Sequence, residues 1–111
     1  MVYRVHRAPL GDRMARSARC AGFTIKDLSV WLDRPYRRVQ AWYSRSVAPR
    51  DPDYDRVLER LTLLAFAVRN KKLVKVRGKR TALCREKREQ EIRRAYRASR
   101  RDYLASGYSA K

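Results

Sequence analysis

The sequence predicts an all-α protein: a small bundle of four helices over residues 1–69, followed by a basic, mostly helical extension over residues 70–111. Two observations carry this. Apolar residues recur at helical spacing along most of the chain, and Gly22, Pro35, Pro49 and Pro52 fall between the periodic segments. Composition then changes near Asn70. The large apolar residues, including Trp31 and Trp42, lie mostly before it, whereas Arg, Lys, Ala and Tyr dominate after it. A chain of 111 residues with 44% hydrophobic content is long enough for one compact core plus an appendage.

Each element has a local reason. The first helix runs from about Asp12 to Cys20, with Asp12 as its N-cap. Met14, Ala15, Ala18 and Ala21 share its inner face, and Gly22 closes it. The second starts after Thr24, which forms a capping box with Asp27 in place of the usual Glu. Ile25, Leu28, Trp31 and Leu32 make its inward face. The third starts at Pro35, whose missing N–H is not needed in a first turn; Val39 and Trp42 point inward. Pro49 and Pro52 separate it from a fourth helix starting near Asp53. There Asp53 and Asp55 complement the positive helix end, and Val57, Leu58, Leu61, Leu64, Ala65 and Val68 form the apolar stripe. Leu73, Val74 and Val76 suggest a short strand or an extended linker ending at Gly78. Residues 80–104 lack Pro and Gly and are strong helix formers. Leu83, Ile92, Tyr96, Tyr103 and Leu104 are a thin apolar set on that helix. A seam of Ile92, Tyr96 and Tyr103 is too thin for a two-stranded coiled coil by itself.

Charge narrows the choice of partner. Lys and Arg total 29 against 11 Asp and Glu, a net charge of +18. Residues 1–69 hold 14 basic and 7 acidic residues, and residues 70–111 hold 15 and 4. A soluble domain so unbalanced repels itself without a polyanion nearby, and nucleic acid is the expected one. A membrane is disfavoured, because no apolar run is long enough to span a bilayer and no stretch pairs a basic face with a rich apolar one. The N-terminus lacks the apolar core of a secretory signal, so a cytoplasmic, nucleoid-associated location is expected. Cys20 and Cys84 have no metal-ligand spacing, and His6 is the only histidine, so neither a zinc site nor histidine-based catalysis is expected. A Cys20–Cys84 disulfide is disfavoured in a reducing compartment. Asp51, Asp53 and Asp55 alternate, but the later Gly and Glu of a calcium loop are missing. The four glycines do not cluster into a phosphate loop. No enzyme, metal or cofactor is expected.

The run AGFTIKDLSVWLDRPYRRVQAWYSR resembles the helix-turn-helix of the lambda-repressor-like (Xre/Cro-type) DNA-binding family. Gly22, Phe23 and Thr24 match its opening, Leu28 its buried leucine, and Ser29 the small position where the two helices touch. Leu32 fills the last apolar slot before the turn. Val39 matches the anchor of the recognition helix, and Trp42 its second apolar position. The resemblance covers about residues 12–66. Two departures stand out: Asp33 sits where the family has Gly in the turn, and Trp42 replaces a typical Leu. Asp accepts left-handed geometry better than most residues, so the turn is retained.

The resemblance implies double-stranded DNA as partner and base contacts from Tyr36, Arg37 and Ala41, with Arg38 and Gln40 flanking them. Arg donates two hydrogen bonds to guanine, and Gln pairs similarly with adenine. Phosphate contacts are expected from Thr24, Arg34, Ser44, Arg45 and Arg50. Ile25 stands where many relatives place a polar phosphate contact. The basic tail, through Arg93, Arg94, Arg97, Arg100 and Arg101, is expected to lie along the same DNA; RNA, a second duplex or oligomerisation are the alternatives. The leading functional expectation is a small bacterial or phage transcriptional regulator acting as a homodimer or higher homo-oligomer. The alternatives are a structural adaptor, such as a phage genome-packaging recognition subunit, and an RNA-binding accessory factor.

Overall fold

A computed structural model describes residues 9–44, 48–50, 53–73 and 85–106. Those residues form five helices: α1 (Gly11–Ala21), α2 (Ile25–Leu32), α3 (Tyr36–Ser44), α4 (Asp53–Arg69) and α5 (Arg85–Ala105). Among the described residues there is no strand, so the chain is all-α. The suggested strand residues Val74 and Val76, with Leu83 and Cys84, lie outside the described residues. Cys20 is exposed on α1.

The helix ends follow local chemistry. Thr24 Oγ1 accepts the Asp27 N–H at 3.2 Å, and Asp27 Oδ2 accepts the Thr24 N–H at 2.9 Å, which completes the capping box. Helix α1 differs from expectation: it begins at Gly11 after Leu10, and Asp12 sits inside the first turn. Leu10 is buried and its carbonyl accepts the Met14 N–H, so packing replaces side-chain capping there. Three helices end in one way, with a left-handed residue whose N–H and following N–H turn back onto the last helical carbonyls. These residues are Gly22, Asp33 and Lys71, at φ 72°, 54° and 57°. Glycine announces that geometry in a sequence; lysine does not.

The core is shared among all five helices. Helix α1 packs on α3 and α4; α2 packs on α3, α4 and α5; α4 packs on α5. Met14, Leu28, Trp31, Leu32, Val39, Val57, Leu61 and Leu64 are essentially without solvent contact. Helix α4 has α1, α2 and α5 as neighbours, so its apolar arc is broader than one stripe. Tyr54, Leu63 and Ala67 are buried in addition to the expected residues, whereas Ala65 is exposed.

Residue 70 divides composition and not packing. Ile92 and Ala95 of α5 belong to the same buried cluster as α1 to α4, and Ile92 has no solvent exposure. Tyr96 meets the Trp31 ring edge-on at 5.3 Å, and Tyr103 meets Phe66 at 5.4 Å. The residues that the sequence offered as an oligomer seam are therefore seated within their own chain; of the described members of that apolar set, only Leu104 stays exposed. Arg60 meets Tyr96, and Phe66 meets Tyr103 farther along both helices, so α4 and α5 run in the same direction.

Two polar links fasten α5. Lys72 Nζ lies 2.8 Å from Asp102. At the other end, Arg88 grips Asp27 in a fork, Nε to Oδ1 at 2.9 Å and Nη2 to Oδ2 at 2.7 Å. The two side chains are only 12% and 9% exposed. Burial pushes the Asp27 carboxyl up. The Arg88 hydrogen bond, the Thr24 N–H and the Arg88 charge together outweigh that and hold it below the ordinary carboxylate value.

Because the folded-state value is depressed, this group's contribution to stability is present above about pH 4 and lost as the pH falls through the depressed value. Arg88→Met leaves the carboxylate without its partner and is expected to cost about 3 kcal/mol at pH 7. Urea titrations across pH are expected to show the gap from wild type closing in acid; a gap independent of pH would contradict the pairing. Truncation after Leu73 uncovers Trp31 and is expected to abolish the cooperative thermal transition.

Candidate nucleic-acid interface

Helices α2 and α3 are joined by a turn of three residues, Asp33 to Pro35. Asp33 adopts φ 54° and ψ 48°, and its N–H and that of Arg34 return to Val30 O and Ser29 O at 3.2 Å each. This is the geometry glycine supplies most cheaply, met here by one of the few other residue types that tolerate it. Pro35 precedes α3, and its carbonyl accepts the N–H groups of Arg38 and Val39. Ser29 is buried, and its hydroxyl donates to Lys26 O at 2.6 Å, so it buries no unpaired group.

Helix α3 has two faces. Val39 and Trp42 are buried and seat it against the bundle. Tyr36, Arg37, Arg38, Gln40 and Ser44 are exposed, as expected, while Ala41 is half-buried. No acidic residue occurs in α3. Tyr36 does not stand alone: the Lys26 ammonium of α2 lies 6.0 Å from its ring centroid. Lys26 is exposed in the first turn of α2. Sequence reasoning passed over it, although a cation one residue into that helix was a readable signal.

The structure separates the expected phosphate contacts. Arg34 is 17% exposed and is held by Asp53, with Nη2 to Oδ1 at 3.0 Å, while its Nη1 donates to Asp33 O. It stitches the turn to the start of α4 and is not presented with the others. Arg38 shares the same carboxylate at 3.3 Å but is 52% exposed. Asp53 thus does more than complement a helix end; it anchors the turn. The Thr24 hydroxyl is committed to its cap. Arg50 is exposed, and Arg45 lies outside the described residues. Arg37 and Gln40 have no side-chain partner among the described residues. Arg93, Arg94, Arg97, Arg100 and Arg101 are all exposed on α5, whose main neighbours are α2 and α4.

No protein-family model, curated protein or solved structure matches this chain. Among the described residues no group of three or more His, Cys, Asp or Glu side chains could hold a metal ion. No described helix is long and apolar enough to cross a membrane.

Asp33 is the test of the turn. Asp33→Val places a β-branched residue at positive φ and is expected to cost about 1–2 kcal/mol. Asp33→Gly is expected to match wild type or exceed it in Tm. Equal melting of all three proteins would rule out the left-handed turn.

Proposed function

We propose that the chain binds double-stranded DNA by laying the exposed face of α3 in the major groove. One observation carries this reading: Arg37 and Gln40 stand exposed, and unpaired among the described residues, on an acid-free helix whose other face is seated by Val39 and Trp42. Those two side chains have the hydrogen-bonding patterns for guanine and adenine edges. A seated helix presents them in one orientation, which base readout requires. Tyr36 and Arg38 flank them, and Ala41 offers its methyl. Lys26, Ser44 and Arg50 are positioned for phosphate contacts that carry no sequence information. The net charge of +18 supplies long-range attraction to any duplex.

The resemblance of residues 12–66 to lambda-repressor-like proteins supports the same reading and extends it to a small regulator of bacterial or phage type, acting on DNA in the cytoplasm. The proposed role is binding and not catalysis. A homo-oligomer belongs to this reading, and the symmetry of the bound site reports it.

The test is selection of bound sequences from a random duplex library, with structured RNA as competitor at physiological salt. A short enriched motif is the expected result. Arg37→Ala is then expected to lose about 1–3 kcal/mol on the preferred site and little on random duplex. Equal losses on both would remove Arg37 from base readout, and recovery of RNA in preference to duplex would overturn the reading.

A further inference from the structure

Helix α5 has an outer surface that the packing of the bundle does not use. From Lys87 to Arg101 every exposed residue is basic except Gln90: Lys87, Arg93, Arg94, Arg97, Arg100 and Arg101. The carboxylates of that span, Glu89, Glu91 and Asp102 just beyond it, are half-buried. Arg94 pairs with Glu91, and Arg101 with Asp102. Arg93, Arg97 and Arg100 have no carboxylate partner among the described residues. They lie at i, i+4 and i+7, which is one row on a helix.

A groove between α4 and α5 opens beside that row, lined by Arg56, Glu59, Arg60, Tyr96 and Arg100. It holds three guanidinium groups against one carboxylate. Arg60 forms its fixed floor: its guanidinium stacks 4.2 Å from the Tyr96 ring centroid, and Nη1 donates to Trp31 O at 2.9 Å. Arg56 and Arg100 are exposed at its sides. Three like charges lining one groove repel one another, and an anion relieves the repulsion.

The spacing fits a regular polyanion. Seven residues of helix advance about 10 Å. One strand of duplex DNA presents a phosphate about every 3.4 Å of axis, so the row spans about three phosphates. The place fits a second contact. Helix α3 has α1 and α2 as its main neighbours and α5 has α2 and α4, so the two surfaces belong to different helices whose principal shared neighbour is α2.

We infer that Arg93, Arg97 and Arg100, with Arg56 across the groove, form a second phosphate-backbone surface that holds a stretch of duplex DNA other than the one on α3. One chain then joins two DNA segments. This rests on the reading of α3 as the first DNA contact. It replaces the expectation that the basic tail follows the same duplex as an arm, because α5 is a packed helix with its arginines on the bundle's outer side.

The experiment is a two-duplex capture with the full chain. A duplex of the preferred sequence is tethered to beads, the protein is added, and capture of a second, labelled duplex of unrelated sequence is measured across salt. The variant is Arg93→Gln with Arg97→Gln and Arg100→Gln. All three positions are exposed, so its thermal transition is expected to match wild type. It is expected to hold the tethered duplex within about threefold of wild type, to capture at least about tenfold less of the second duplex, and to flatten the salt slope of capture by about three. Equal loss on both duplexes would assign the row to the DNA already on α3. Unchanged capture, or displacement of the second duplex by an equal concentration of structured RNA, would also overturn the proposal. Arg37→Ala keeps the two readings apart: an unchanged grip on the tethered duplex overturns α3 as the reader, whereas the triple variant alone decides the α5 surface.

Discussion

Trp31 is enclosed by three helices, and the attitude of α3 follows from that enclosure. The indole N–H donates to Arg60 O at 2.7 Å, and Arg60 Nη1 donates to Trp31 O at 2.9 Å. The exchange ties the last turn of α2 to the middle of α4. Tyr96 of α5 closes the third side, touching both the Trp31 ring and the Arg60 guanidinium. An unmatched polar group at such a depth costs about 1–3 kcal/mol, so neither member of the exchange is easily lost. Only three residues separate α2 from α3, and the left-handed Asp33 gives the turn little freedom. Whatever fixes α2 therefore aims α3.

The opposite end of α2 is held by charge. Asp27 Oδ2 serves both the capping box and the Arg88 fork, and Oδ1 takes the other arm of the fork. A local feature of α2 is thereby also the anchor for a helix more than fifty residues away. The pairing resolves a problem that each partner poses alone. Asp27 is nearly buried and needs a counter-charge; α5 is strongly basic and needs a reason to approach a bundle that is itself positive.

Arginine plays two parts in this chain, and burial separates them. Arg34, Arg60 and Arg88 are structural: each reaches inward to a carboxylate or a carbonyl. Arg37, Arg93, Arg97 and Arg100 reach outward and are unpaired among the described residues. The formal charge of +18 counts both kinds alike. Only the outward kind attracts a polyanion at short range, and α3 and the outer surface of α5 each carry some of it.

The sequence by itself determined the helices, the Thr24–Asp27 box, the Asp33 turn, and the division of α3 into a seated face at Val39 and Trp42 and an exposed face at Arg37 and Gln40. These depend on spacing of three or four residues and on the conformational limits of single residues, which a linear reading captures. Tertiary structure alone decided that α5 is part of the core, that Asp27 meets Arg88, that Asp53 occupies Arg34, and that Lys71 ends α4 with positive φ. Each of these rests on contacts between segments far apart in the chain, or on a residue whose type does not announce its backbone. Helix α5 was misjudged as an appendage for a physical reason. Ile92, Ala95 and two tyrosines are too few to form a core of their own, but enough to complete one that Trp31 and Phe66 leave open.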